Sequence, residues 1–522
     1  MKQSYRFLTL SVCFLFGFLF TGIKLVQTTL FPDKRLSSVN YRISIPRGNI
    51  YDTRGRLIAG ISSTSSLYVR PDRISLELKE YITQYLRSTG YFSVSDLANF
   101  DKTNKGFTYI KRDMTPSILA PVELLYNLLK KEGFLKNDEL GITAEESRFY
   151  PYPFLAPIIG ILGRDGVGLY GIEYTQNKTL VQGSSVTLSL DSEISRIAYE
   201  ELYRVVQESD ANSGSVGIIN VKTKEILALV QVSDDIHRPV STSHIYEPGS
   251  VMKIFTAAFA MEQGFASTES PTFDDFTSYK VADYTFSQPK FGYIPLSTML
   301  TKSANISFAR LSSLFGINDY YLWLLELGFG KKPNLPLTSI EKGILHEPSK
   351  WTSLSKPMIA IGQEIGVTTL QLLIASSVIG GQGVYKDPQL ITSIRNSSGE
   401  ELYTNTISPP KQLLHPQKAK ELLYAMENVV STRGTGVKAV IDGVRIGGKT
   451  GTGMIAGQTG YSVGKNNTVF IGILPIEDPN LAIVVAIHNP KGNKRSGGGV
   501  SAPLFANIVR RIVLSVGYQN TK

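Results

Sequence analysis

The sequence has almost no cysteine. Cys13 is the single cysteine among 522 residues, and it lies inside the first apolar run. The remainder of the chain can therefore form no disulfide bond, thiolate nucleophile or cysteine-ligated zinc site. Histidine is also sparse, with five residues and no spacing such as H-E-x-x-H that would indicate a metal site. We therefore expect neither a metal ion nor a cofactor.

Long basic runs and recognisable nucleic-acid-binding motifs are absent too, although the formal net charge is +10. A positive excess of this kind suits an anionic surface, such as a membrane or cell wall, at least as well as a nucleic acid. We predict no nucleic-acid partner. With 42% hydrophobic and 19% charged residues, the chain is long enough for two or three domains with hydrophobic cores.

One uncharged run near the N-terminus, Phe7 to Ile23, has the character of a membrane segment. Extended to Val26, it approaches the roughly 30 Å thickness of the bilayer hydrocarbon at about 1.5 Å per residue. A cleaved signal peptide is the alternative, but no A-x-A-like site follows. The pattern predicts a cytoplasmic tail at 1–6, a single-pass anchor at 7–26 in the cytoplasmic (inner) membrane, and a catalytic domain on the extracytoplasmic (periplasmic) side.

Two folded regions are expected after the anchor. The region 40–188 opens with a strand–turn–strand pattern at Tyr41 to Ala59 and then mixes short helical patterns with loops. The region 189–517 opens with a helix that Asp191 can cap, followed by a hairpin whose turn spans Lys222 to Glu225. Strands and an amphipathic helix recur near its end. The predicted fold class is α+β, with an antiparallel sheet covered by helices.

The segment YEPGSVMKIF places Ser250 three residues before Lys253 at the start of a helical pattern. Taken alone, the spacing is ambiguous, because a serine at a helix start is most often an N-cap. A catalytic pair is the other interpretation. A buried lysine beside other cations loses its proton readily and can then act as the base for a serine nucleophile.

Two further motifs favour the catalytic interpretation. TKSANISFAR supplies Ser303 and Asn305 in an S-x-N spacing. A predicted strand in IGGKTGTGM supplies the third group, Lys449, Thr450, Gly451 and Thr452. Each triplet is weak evidence by itself. The order S-x-x-K, S-x-N, K-T-G is the signature of serine acyl-transfer enzymes.

With these motifs the chain resembles the class B penicillin-binding proteins, the membrane-anchored transpeptidases that cross-link peptidoglycan. YEPGS and GKTGTG look more like the division-type (septal) branch than the elongation type. RGNIYDTRGRLIA, ESRFYPY and GLYGIEY resemble the family's pedestal motifs. The resemblance implies an elongated, non-catalytic, dimerisation-like pedestal domain at 40–188 and a transpeptidase domain at 189–517. It also implies structural or partner-coupling roles for the pedestal residues Arg47, Asp52, Arg148, Gly171 and Glu173.

The resemblance also implies the acylation chemistry. Ser250 would attack the carbonyl between two D-alanines of a stem peptide, and Lys253 would take the serine proton. Ser303, held by Asn305, would relay a proton to the leaving amine. The sequence departs from the family at Lys224, where relatives usually have a turn glycine.

The K-T-G strand is implied to bind the substrate. Lys449, Thr450, Gly451 and Thr452 would hold the terminal carboxylate, and the backbone N–H groups of Ser250 and Thr452 would form an oxyanion hole. The implied partners are stem peptides ending in D-Ala-D-Ala, β-lactam antibiotics, and inner-membrane division proteins including a separate glycan polymerase. Residues 41–188 are too few to hold a polymerase of their own.

Three alternatives stay open at this point. The chain could be an elongation-type transpeptidase. It could be a D,D-carboxypeptidase or β-lactamase-like hydrolase that uses water, although no base for deacylation is evident in the sequence. It could also be a catalytically silent β-lactam-binding scaffold, which the intact set of motif residues disfavours.

Overall fold

The computed structural model describes residues 46–102, 106–136, 138–235, 237–275, 277–404, 409–457, 460–492 and 494–516. The predicted tail and anchor at 1–26 lie outside these ranges. Within them, no helix combines the length and the apolar character that crossing a membrane requires. From Arg47 onward the chain groups into one unit.

The strands are β1 Ile50–Tyr51, β2 Leu57–Val69, β3 Thr108–Met114, β4 Leu140–Phe149, β5 Ser185–Leu188, β6 Ser213–Asn220, β7 Ile226–Ser233, β8 Pro271–Asp275, β9 Ser278–Val281, β10 Tyr284–Ser287, β11 Gly292–Pro295, β12 Val384–Tyr385, β13 Ile391–Arg395, β14 Glu401–Thr404, β15 Lys411–Gln412, β16 Gly447–Gly457, β17 Gly460–Leu474 and β18 Leu481–His488. The α-helices are α1 Leu76–Ser88, α2 Val94–Leu97, α3 Pro116–Lys131, α4 Ala156–Ile159, α5 Gly171–Thr175, α6 Asn177–Val181, α7 Ser192–Glu208, α8 Val240–Ser243, α9 Lys253–Glu262, α10 Leu296–Lys302, α11 Asn305–Leu311, α12 Ile317–Glu326, α13 Ser355–Ile361, α14 Thr369–Gly380, α15 Pro416–Val430 and α16 Ser501–Val516.

The first sheet is built around the strand–turn–strand pattern predicted at the start of region 40–188. β1 pairs antiparallel with β2, with Ile50 opposite Ala59. β1 also pairs in parallel with β5, and the sheet runs in the order β14-β13-β5-β1-β2-β3, with β4 paired to β2. Because β13 and β14 come from residues 391–404, this sheet joins strands from both predicted regions.

Pedestal-motif residues from three separate stretches meet in one buried ionic cluster. The Glu173 side chain is fully buried and accepts hydrogen bonds from Arg47 Nε at 2.9 Å and Arg148 Nε at 2.7 Å. Arg148 also donates to the carbonyl of Gly48 at 2.9 Å. Buried charges are tolerated when they are paired and hydrogen-bonded in this way. The structural role implied for these residues therefore has a physical basis in the geometry.

Asp52 connects the first hairpin to the start of α7. Its carboxylate accepts from the Ser192 hydroxyl at 2.7 Å and from Arg56 Nε at 2.7 Å. Burial alone would raise the pKa of Asp52, but the hydrogen bonds from Ser192 and Arg56 outweigh burial and hold the pKa below its usual value. Asp191, the residue immediately before α7, caps that helix by accepting hydrogen bonds from two backbone N–H groups, as predicted.

The second sheet has five strands in the order β16-β17-β18-β6-β7, with antiparallel neighbours throughout. Helices cover both faces. On β6, Gly214 faces Leu202 of α7, whereas Gly217, which points to the opposite face, lies against Leu373 of α14. α14 is buried along its whole length, and α16 packs beside α7. The predicted α+β fold with a helix-covered antiparallel sheet is confirmed.

The β6–β7 hairpin has an unusual turn residue. Lys224 adopts a φ of +63°, the left-handed conformation that glycine takes most easily. Its side chain is buried, and its amine donates to the Ser377 carbonyl at 2.6 Å. Burial, and to a lesser extent the charge of Lys386, lowers the pKa of Lys224 to about 7. The lysine therefore adopts a backbone conformation typical of glycine while burying an amine.

This burial predicts a pH-dependent stability. Between pH 7 and 9 the unfolded chain holds a proton on Lys224 that the folded chain has released, so the free energy of unfolding rises with pH. From the shift in pKa we expect a rise of about 2 kcal/mol from this group. Lys224→Met should remove this dependence of stability on pH. The Ser377 carbonyl is not left unpaired in the variant, because it also accepts a hydrogen bond from the Gly381 N–H at 2.9 Å.

Denaturant unfolding of both proteins at several pH values measures this difference. Lys222→Met is the matched control, because Lys222 lies on the same turn with an exposed side chain paired to Asp478. The Lys222 variant should keep the wild-type pH dependence. The prediction would be contradicted if the free energy of unfolding changed with pH by the same amount in wild type and in Lys224→Met.

Candidate active site

Ser250 lies in a 3₁₀ turn, Gly249–Met252, that leads directly into α9. Lys253 is the first residue of α9, so the serine and the lysine are one turn apart. In this described part of the chain, no side chain caps either the 3₁₀ turn or α9. The N-cap interpretation of Ser250 is therefore wrong, and its half-buried hydroxyl is left for another role.

Glycines allow the Ser250 turn to lie against two neighbouring backbones. Gly249 has a φ of +59°, and a Cβ there would meet the Thr452 carbonyl oxygen at 2.4 Å. Gly362 has a φ of +86°, and a Cβ there would meet the Gly249 oxygen at 1.9 Å. On β16, a Cβ at Gly453 would meet the Glu247 oxygen at 1.9 Å. Small residues in the Ser250 turn and on the K-T-G strand therefore permit this close backbone approach.

Ser303 lies between α10 and α11 in a left-handed conformation, with φ +54° and ψ 41°. A non-glycine residue in this region is uncommon and costs on the order of 1 kcal/mol. The conformation turns both the Ser303 hydroxyl and its carbonyl toward Lys253. Lys253 Nζ lies within hydrogen-bond distance of the Ser303 carbonyl oxygen at 2.6 Å, of Ser303 Oγ at 3.2 Å and of Asn305 Oδ1 at 2.5 Å.

Lys449 approaches the same hydroxyl from β16. Its Nζ donates to Ser303 Oγ at 3.0 Å and to the Thr450 carbonyl at 3.1 Å. The Ser303 oxygen therefore lies between two lysine amines, and both lysine side chains are fully buried. The structure brings the three sequence motifs together at this one oxygen.

Burial shifts the protonation of both amines. Burial first, and the charge of Lys449 second, lower the pKa of Lys253 well below its usual value. Burial lowers the pKa of Lys449 to about 7. A neutral Lys253 can accept a proton, which is what the predicted base requires. Among the described residues, no hydrogen bond joins the Ser250 hydroxyl to Lys253, and such contacts often tighten only when a substrate binds.

The comparison with family models decides the classification. Residues 214–510 match the model described as "Penicillin binding protein transpeptidase domain". The matched segment covers more than half of the chain and contains all three motifs. The chain belongs to the penicillin-binding protein transpeptidase family.

Curated relatives and solved structures agree with this classification. The penicillin-binding protein is 26% identical to the peptidoglycan D,D-transpeptidase FtsI of Buchnera aphidicola subsp. Schizaphis graminum, over 98% of this chain and 95% of the relative. It is 25% identical to FtsI of Escherichia coli strain K12, over 99% and 92%. Penicillin binding protein 3 of Mycobacterium tuberculosis, complexed with aztreonam, has the same fold, with a TM-score of 0.71, 21% identity and coverage of 91% and 97%.

The predicted classification is thereby confirmed: this penicillin-binding protein is of class B and of the division type. Because it belongs to this family, it is a serine-type acyltransferase. The assignment of individual site residues rests on the geometry above and on the motifs.

Several contacts at the penicillin-binding protein's site were not predicted from the sequence. The Gly497 N–H donates to Thr452 Oγ1 at 3.2 Å, which ties the loop before α16 to β16. Thr435 Oγ1 and Thr450 Oγ1 are 2.6 Å apart. The sequence around Thr435, Gly-Thr-Gly, indicates a turn and nothing more. Only the fold places it beside the K-T-G strand.

Proposed function

We propose that this chain is a peptidoglycan D,D-transpeptidase of septal cell-wall synthesis, with Ser250 as its nucleophile. One observation carries the residue assignment: the Ser303 hydroxyl lies within 3.2 Å of Lys253 Nζ and 3.0 Å of Lys449 Nζ, beside the turn that presents Ser250. The substrate class follows from the relatives, which are named peptidoglycan D,D-transpeptidases.

The acylation step uses three of these groups. Neutral Lys253 takes the proton of the Ser250 hydroxyl as Oγ bonds to the carbonyl carbon between two D-alanines. The C–N bond then breaks, and the leaving amine receives a proton through the Ser303 hydroxyl, which hydrogen-bonds Lys253. D-alanine departs, and an ester on Ser250 remains. Asn305 holds the Lys253 amine at 2.5 Å and so orients the relay.

Binding of the substrate is assigned to β16. Lys449 supplies positive charge below its pKa of about 7, and Thr450, Gly451 and Thr452 line the strand beside it for the terminal carboxylate. The backbone N–H groups of Ser250 and Thr452 are proposed as the oxyanion hole, since their two segments lie in backbone contact at Gly249. β-Lactams are proposed to acylate the same serine.

The second half of the reaction distinguishes a transpeptidase from a hydrolase. A neutral amine of a neighbouring stem peptide attacks the ester, the ester C–O bond breaks as the new amide forms, and the proton lost by the amine returns to Ser250 Oγ through Lys253. Lys253 and Lys449 are both engaged with Ser303. A water-activating base in addition to this set would be required for rapid hydrolysis.

The proposal is tested with a stem-peptide donor ending in D-Ala-D-Ala and a stem-peptide amine acceptor. We expect release of D-alanine together with a cross-linked dimer, identified by mass spectrometry, and a partition toward the dimer that grows with acceptor concentration. Release of D-alanine with hydrolysed donor alone would support the carboxypeptidase alternative. Absence of both products would support the silent scaffold.

The membrane anchor at 7–26, the extracytoplasmic location of the catalytic domain and the partnership with a separate glycan polymerase are proposed on the sequence and the family resemblance. The buried ionic cluster at Glu173, which joins residues from distant parts of the chain between 47 and 173, supports the proposal that this region carries such partner contacts. A mature protein whose N-terminal sequence begins after Ile23 would contradict the anchor. Failure of the full-length protein to co-purify with a glycan polymerase from membranes would contradict the partnership.

A further inference from the structure

The segment 431–436, which follows α15, contacts the regions of two of the three motifs. Near its start, the Arg433 carbonyl accepts a hydrogen bond at 3.3 Å from Lys302, the residue immediately before Ser303. At its end, the Thr435 hydroxyl contacts the Thr450 hydroxyl at 2.6 Å. The Gly436 N–H returns to the Val429 carbonyl at 2.8 Å and closes the segment onto the end of α15.

The backbone at Thr435 is held from the other side as well. A Cβ at Gly498 would lie 2.4 Å from the Thr435 carbonyl oxygen, so the glycine loop before α16 packs directly on this residue. The Thr435 side chain is nevertheless exposed, whereas Thr450 is 8% exposed. Thr435 therefore combines a fixed backbone with a hydroxyl at the open side of the K-T-G strand.

A pair of hydroxyl groups shares one hydrogen bond, in which one donates and the other accepts. If Thr450 is to donate its single proton to a carboxylate, it must accept from Thr435. The Thr435 proton then points at Thr450 Oγ1, and the Thr450 proton is directed away from Thr435 toward the ligand. An anion would therefore be bound by a hydroxyl whose orientation is already set.

We propose that Thr435 is a positioning residue that determines specificity for the terminal carboxylate, because it holds the Thr450 hydroxyl as a donor. This inference rests on the proposed function, since it concerns the ligand of the same site. Thr435 takes no part in bond making. Its loss should weaken recognition of the carboxylate and leave the acylation step at saturation unchanged.

The experiment compares benzylpenicillin with its methyl ester, which has the same ring and lacks the negative charge. Acylation is followed by stopped flow or mass spectrometry, and binding is separated from the chemical step by varying the concentration. Wild type should discriminate in favour of the acid. In Thr435→Val we expect this discrimination to fall about tenfold, through the dissociation constant of the acid, since a hydrogen bond to a charged group is weakened.

Two variants complete the test. Thr435→Ser retains the hydroxyl and should retain the wild-type discrimination. Thr432→Val makes the same chemical change at an exposed threonine of the same segment and should also leave the ratio unchanged. The proposal is overturned if Thr435→Val keeps the wild-type ratio, if it slows acid and ester equally, or if the serine variant behaves like valine. Wild type that is not acylated at all would instead refute the proposed function.

Discussion

Replacement of Ser250 by alanine is expected to abolish the covalent adduct with penicillin while leaving the fold intact. The change removes the only atom of this residue that can form the ester. The Ser250 hydroxyl caps no helix, so its loss should cost at most about 1 kcal/mol of stability. Mass spectrometry after incubation with penicillin measures the adduct, and thermal unfolding measures the fold.

Ser313→Ala is the matched control for this experiment. Ser313 also lies in a short 3₁₀ turn, Ser312–Leu314, with an exposed hydroxyl that donates to the Arg310 carbonyl at 2.7 Å. This variant should be acylated at the wild-type rate. Labelling that persists in Ser250→Ala would show that another residue is the nucleophile.

Substitution of Lys253 is expected to slow acylation by roughly a thousand-fold, the range for loss of a general base. Lys253→Arg introduces a positive charge that cannot be lost, so the proton of the Ser250 hydroxyl would have no acceptor. Because the side chain is fully buried, Lys253→Met provides a second variant that adds no larger group. Lys356→Met is the control, since Lys356 is a partly buried lysine that donates to Phe315 O, outside the motifs. Near-normal acylation by both Lys253 variants would assign the base to another group.

The pH dependence of acylation gives an independent measure of the same roles. Neutral Lys253 is required, so the rate should fall as pH drops through its lowered pKa. Charged Lys449 is required for the carboxylate, so the apparent affinity should fall as pH rises through about 7. The two limbs give a bell-shaped profile of the second-order rate constant in the free enzyme. In any Lys253 variant with residual activity the acid limb should disappear.

The three motifs could be predicted from the sequence because each is a short local pattern. Ser250 with Lys253, Ser303 with Asn305, and the Lys449 strand each carry their spacing in consecutive residues, and the fold brings them together at one hydroxyl. Their local structure was also predictable, since a helical pattern follows Ser250 and the alternating Val444 and Ile446 lead into β16.

The parts that could not be predicted depend on contacts between distant residues. The pairing of β5 with β13 joins Val186 to Ile394, and no periodicity within either strand indicates its partner. Thr435 contacts Thr450 only because the fold places the segment after α15 against β16. The Lys224 turn was recognisable as a departure from the family, but its buried amine depends on α14 packing over the hairpin.

The close backbone packing behind Ser250 also limits how resistance to antibiotics can arise in this protein. At Gly249, Gly362 and Gly453 any side chain would collide with a carbonyl oxygen at 2.4 Å or less. On the proposed function, drug and substrate both acylate Ser250, so a substitution at any of these glycines should impair both reactions and confer no resistance. Variants that lose affinity for the drug and still build the wall must therefore come from other positions, where a changed side chain leaves these backbone contacts intact.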